Sequence, residues 1–81
     1  MENLSVYDAL VGIKPYEIGK KLSEIRREKG LTQAEFAETV GVSTKAVSNW
    51  ERGIKKLQQS HLMIAAVVLG VTTDDILCLK K

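Results

Sequence analysis

Residues 33–52 read QAEFAETVGVSTKAVSNWER, and they restrict the chain more than any other stretch. Two short runs with helical spacing, 33–40 and 44–52, are separated only by Gly41, Val42 and Ser43. Helices joined by so short a link must cross steeply. A steep crossing needs a small residue where the helices touch, and Ala37 supplies it. The turn needs a residue that tolerates positive φ, and Gly41 is that residue. Both helices must also turn apolar side chains into the angle, and Phe36, Val40, Val42, Val47 and Trp50 stand at compatible positions. Each requirement alone is weak evidence. Together they specify an angled pair of helices.

The rest of the chain extends this into an all-α fold. Aromatic residues are few, and no segment alternates as a strand would. A helix is expected from about residue 16 to 29, with Ile18, Leu22 and Ile25 at helical spacing and Gly30 as its stop. Thr32 and Glu35 have capping-box spacing at the start of the next helix. Val42 or Ser43 starts the helix after the turn, and Gly53 closes it. Residues 54–60, IKKLQQS, read as a basic loop. Residues 62–69 are apolar throughout and read as a buried helix stopped by Gly70. A last short helix runs on through Leu79, capped by Thr72 or Thr73, with Asp74 and Asp75 in its first turn. Upstream, Pro15 interrupts the chain. Residues 1–16 form an extension, apolar for a tail, in which Ser5 and Gly12 bound a possible short extra helix. Residues 17–81 form the domain proper.

The helix at 44–52 has two unlike faces. Ala46, Val47 and Trp50 share one. Thr44, Lys45, Ser48, Asn49 and Arg52 share the other, at i, i+1, i+4, i+5 and i+8, with two cations and no acid. Short donors and acceptors of this kind suit base edges in a major groove and the phosphates beside it. Asn can pair with adenine through two bonds, Lys can reach guanine acceptors, and Thr can donate or touch a thymine methyl. The net charge of +2 does not itself imply nucleic acid. The distribution says more, because Lys20, Lys21, Arg26, Arg27 and Lys29 crowd one stretch and Lys45, Arg52, Lys55 and Lys56 another.

The stretch IGKKLSEIRREKGLTQAEFAETVGVSTKAVSNWERG resembles the lambda repressor and Cro (XRE) family of helix-turn-helix regulators. The likeness covers about residues 17–79. It implies a compact five-helix DNA-binding domain, usually a homodimer on a near-palindromic double-stranded operator, acting as a transcriptional repressor. It implies base reading by Thr44, Lys45 and Asn49. It implies phosphate or secondary contacts for Gln33, Ser43, Ser48, Arg52, Lys55 and Lys56. Arg26 and Glu51 match a pair that in relatives forms a salt bridge between the first and third helices. Leu57 departs from the family, standing near a common proline. Ile64 and Val67 depart too, falling where relatives more often carry charged residues. The extra apolar face they create is expected to be covered by residues 1–16 or by a second copy. A protein-docking module, such as an antitoxin-like partner binder, is the competing reading of the same fold.

Other classes fit less well. No nucleophile–base pair, paired carboxylates or phosphate-cradling glycine loop is present, so no catalysis and no cofactor are expected. The single cysteine, Cys78, allows no internal disulfide, and with one histidine a structural zinc is implausible. Cys78, between Leu77 and Leu79, reads as a small apolar filler. His61 reads as a solvated residue near a helix start, and Trp50 as core rather than a base-stacking ring. No apolar run approaches the roughly 20 residues of a membrane span. Neither a secretory signal nor an effector domain beyond Asp75 is expected. A cytoplasmic location is expected.

Overall fold

The computed structural model describes residues 15–77. The expectations for an extra N-terminal helix and for Cys78 lie outside them, as does most of the segment 1–16 expected to cover the apolar face. Five helices make up the described chain: α1 Pro15–Glu28, α2 Gln33–Val40, α3 Thr44–Glu51, α4 Gln59–Leu69 and α5 Thr73–Leu77. Helix α1 packs on α3 and α5, α2 packs on α3 and α4, and α4 packs on α5. The core runs through all five, from Ile18, Leu22 and Ile25 through Phe36, Ala37, Val47 and Trp50 to Leu62, Leu69 and Ile76.

Local chemistry accounts for most element ends. Glu35 N–H donates to Thr32 Oγ1 at 3.0 Å and Thr32 N–H to Glu35 Oε1 at 2.9 Å, which closes the capping box of α2. Gly41 then takes a φ of 93°, and its N–H bonds Ala37 O. Ser43 begins α3, its Oγ accepting from Ala46 N–H at 3.1 Å. Thr72, not Thr73, caps α5, in a reciprocal pair with Asp75. Proline is tolerated in a first helical turn because the missing N–H would have no intrahelical acceptor. Pro15 therefore belongs to α1, and the boundary expected after residue 16 falls inside its first turn.

Three details differ from expectation. Helix α4 starts at Gln59, three residues before the apolar run, and its N-cap Gln58 makes no side-chain cap, so no capping signal marked this start. Leu57, read as part of a basic loop, is a core residue at 3% exposure. Helix α4 is not buried all round among the described residues: Leu62, Ala65, Ala66 and Leu69 face inward, whereas Met63, Ile64 and Val67 stay exposed.

Two contacts set how α3 sits on α1. The first is steric. A Cβ added at Gly19 would lie 2.1 Å from Trp50 O and 2.8 Å from Glu51 O, so only glycine lets the helix backbones approach this closely. The second is electrostatic. Arg26 Nε donates to Glu51 Oε2 at 2.6 Å and Nη2 to Oε1 at 3.1 Å, and both side chains are buried. Arg26 Nη1 also donates to Leu31 O at 2.7 Å, and Gln33 Nε2 to Glu51 Oε1 at 2.9 Å. The Arg26–Glu51 network therefore ties α1, the turn after it and the first residue of α2 to the last residue of α3.

Gly19→Ala should destabilise the fold by about 3 kcal/mol, since a backbone carbonyl cannot yield as a side-chain end can. Urea unfolding followed by the fluorescence of Trp50, the only tryptophan, measures it. Glu51→Gln should cost about 3–5 kcal/mol by stranding a buried guanidinium. The double change Arg26→Met/Glu51→Leu should recover most of that loss. A double variant as unstable as the single one would show that the network does more than satisfy its own charges.

Candidate nucleic-acid interface

Helix α3 is amphipathic over barely two turns. Val47 and Trp50 are buried and Ala46 packs against the core, which fixes the rotation of the helix about its axis. Thr44, Lys45 and Arg52 are consequently exposed, and Ser48 and Asn49 are half-buried at the edges of the same face. Asn49 is steadied from its own helix, because its Oδ1 accepts from Arg52 Nη2 at 3.4 Å. Its backbone carbonyl accepts from Ile54 N–H at 2.9 Å and Lys55 N–H at 3.3 Å, folding the connecting segment back against the end of α3. Gly53, with φ 75°, makes that reversal possible, and it lies so close to Tyr16 that a Cβ would fall 2.8 Å from Tyr16 Cα.

The reversal creates a groove of about 350 Å3 between α3, the connecting segment and the first turn of α4. Ser43, Lys45, Asn49, Lys55, Lys56, Gln58 and His61 line it, together with Val42, Ala46 and Trp50. Three cations therefore share one concavity, and among the described residues no acid lines it. Glu51, the acid nearest in sequence, is turned to the other side and neutralised by Arg26.

The candidate residues do not all gather there. Arg52 lines a second groove with Lys20 and Arg27 of α1, on the flank of α3 next to Glu51. Thr44 stands exposed at the first turn of α3 and lines neither groove. Gln33 is half-buried, with its amide nitrogen donating to Glu51.

Sequence reasoning missed one residue of the first groove and misjudged another. Gln58 sat in what read as a loop. His61 read as solvated, yet it is half-buried, with its ring centroid 5.2 Å from that of Trp50 and tilted 41°. The reason is the reach of Trp50, whose large ring spans from α3 to the start of α4. A tryptophan facing the only histidine was a signal, but their separation in sequence concealed it.

Comparison with known proteins agrees with this geometry. A helix-turn-helix family model, HTH_3, matches residues 22–76. The HTH-type transcriptional activator BcrR of Enterococcus faecalis is 36% identical over 61 residues, covering 75% of this chain and 30% of BcrR. Antitoxin PezA of Streptococcus pneumoniae is 34% identical over 59 residues, covering 73% of this chain and 37% of PezA. This chain thus spans about a third of the length of these relatives. The crystal structure of the clp gene regulator ClgR from Corynebacterium glutamicum superposes with a TM-score of 0.74 at 33% identity, covering 79% of this chain and 83% of that one. A family match over most of the chain and a shared arrangement of helices lead to one assignment: the chain belongs to the XRE-type helix-turn-helix family of DNA-binding transcriptional regulators.

Proposed function

We propose that this chain binds double-stranded DNA sequence-specifically and regulates transcription, with α3 lying in the major groove. The observation that carries the reading is the outer face of α3: no acid occurs from Thr39 to Trp50, and the polar residues there project from a helix whose other face is locked in the core. Thr44, Lys45 and Asn49 meet base edges, where bidentate and methyl contacts discriminate sequence. Ser43, Ser48, Arg52, Lys55 and Lys56 meet flanking phosphates, which position the domain without reading sequence. Gln33 holds Glu51 with one amide hydrogen and offers the other to a phosphate. The chain has no catalytic role in this reading. It works where the DNA is, in the cytoplasm.

The active species is a homodimer joined through α4. Met63, Ile64 and Val67 are 56%, 42% and 81% exposed on one helix that contains no Asp, Glu, Lys or Arg. An uncharged apolar face can meet its own copy without burying an unpaired charge, and a two-fold pairing uses the same patch twice. Two copies so joined present two α3 helices to a near-palindromic operator. Occupying a promoter in this way represses by exclusion. The same apolar face, together with the likeness to antitoxin PezA, supports a second reading as a protein-docking module, in which a partner of another sequence takes the place of the second copy.

Selection from a random duplex library at fixed salt should return a consensus with two-fold symmetry; a pool with no consensus would overturn sequence-specific binding. Against the selected site, Asn49→Ala or Lys45→Ala should lose about 1–3 kcal/mol and relax the preference at one position. Lys56→Ala should weaken cognate and random DNA alike and reduce the salt slope by about one. Equal weakening of both by Asn49→Ala would remove that residue from base reading. In analytical ultracentrifugation the double variant Ile64→Glu/Val67→Lys should sediment as a monomer where the natural chain is a dimer. A natural chain that is itself monomeric at all concentrations, and gains mass only with a protein partner, would favour the docking module.

A further inference from the structure

The DNA-binding reading leaves His61 without a role, yet the fold places it in the cationic groove. Its ring is held by packing on Trp50, and among the described residues it has no hydrogen-bond or ion-pair partner. We infer that the groove between α3 and residues 54–58 seats a DNA phosphate with His61 as a proton-linked contact, so that DNA binding draws a proton onto this imidazole. The inference rests on the DNA-binding reading and adds to it a residue and a pH dependence.

The charges around His61 determine the sign. Lys45 of α3 and Lys55 and Lys56 of the connecting segment line the groove with it. Helix α2 also packs on α4, but its acids Glu35 and Glu38 are exposed and do not line the groove. Helix α5 packs on α4 as well, and Asp74 and Asp75 of its first turn do not line it either. Among the described residues, then, the charged side chains that line the groove with the imidazole are all cations. A phosphodiester entering the groove changes this, because it adds an anion that a protonated ring can both attract and hydrogen-bond. Histidine is the side chain whose ordinary titration spans the range around neutrality. A group that binds a proton more tightly in the complex than in the free protein strengthens binding at low pH, and that gain is lost as pH rises through its titration in the complex. Affinity should therefore be highest below about pH 6 and decline toward pH 8.

Two measurements on the full chain test this at constant ionic strength. In the first, fluorescence anisotropy gives the Kd for a labelled mixed-sequence duplex across this pH range. The natural chain should lose about tenfold in affinity over the range, equivalent to one unit of difference in proton affinity. His61→Gln should bind with a nearly flat profile, and His61→Lys should bind at pH 8 as tightly as the natural chain does at low pH. In the second, Trp50 fluorescence is excited beyond the absorbance of the bases and titrated in the free protein and in the complex. A protonated imidazole quenches an adjacent indole, so the titration reports on His61 directly, and its midpoint should rise when duplex is added. A His61→Gln profile as steep as the natural one, or a midpoint that does not move with DNA, would overturn the role of His61 while leaving DNA binding intact. Failure to bind duplex at any pH would overturn both this inference and the reading beneath it.

Discussion

A carboxylate this deeply buried must be answered by hydrogen-bond donors, and Glu51 is such a group. Its two oxygens take three hydrogen bonds, two from Arg26 and one from Gln33. A buried ion pair of this kind adds little net stability over apolar packing, because desolvation consumes most of the attraction. What it provides is geometry. The arginine fork and the carboxylate are complementary only in a narrow range of positions, so the end of α3 is registered against α1 and the start of α2. Gly19 serves the same purpose sterically, letting α1 come so near that α3 cannot move inward. The outer face of α3 inherits that precision without taking part in producing it.

A second consequence follows from where this acid went. The chain carries nearly balanced charge, +2 overall, and on average would not attract a polyanion strongly. By turning Glu51 into the α1 contact and leaving Lys45, Lys55 and Lys56 around one groove, the fold separates its charges in space. A local positive field can then coexist with small net charge, which limits indiscriminate attraction to other polyanions. Helix α4 shows a comparable division. Its inner face joins the core while Met63, Ile64 and Val67 remain exposed, so one uncharged helix carries both a buried and an exposed apolar face.

Much of this was legible in the residues, and the legible features share a property. The capping box of Thr32 and Glu35, the positive φ of Gly41, the serine that starts α3 and the inward spacing of Val47 and Trp50 all involve groups within a few positions of one another. Such features are satisfied inside one helix or one turn, so the chain expresses them wherever that segment sits. The features that escaped notice have distant partners. Nothing around Gly19 in sequence shows that a carbonyl from residue 50 lies against it, and nothing in IKKLQQS marks Leu57 as core.

The sequence by itself determined the helices, their caps, the tight turn at Gly41 and the polar character of the outer face of α3, because propensity, capping and helical periodicity act over a few residues. Only the tertiary structure decided which side of α4 faces the core of the described residues, that His61 rests on Trp50, that Arg52 lines a different groove from Lys45, and that Gln33 turns back to Glu51. Those outcomes depend on where separate helices meet. That is settled by competition among all the core side chains for the same small volume, and by the few approaches a buried charge permits.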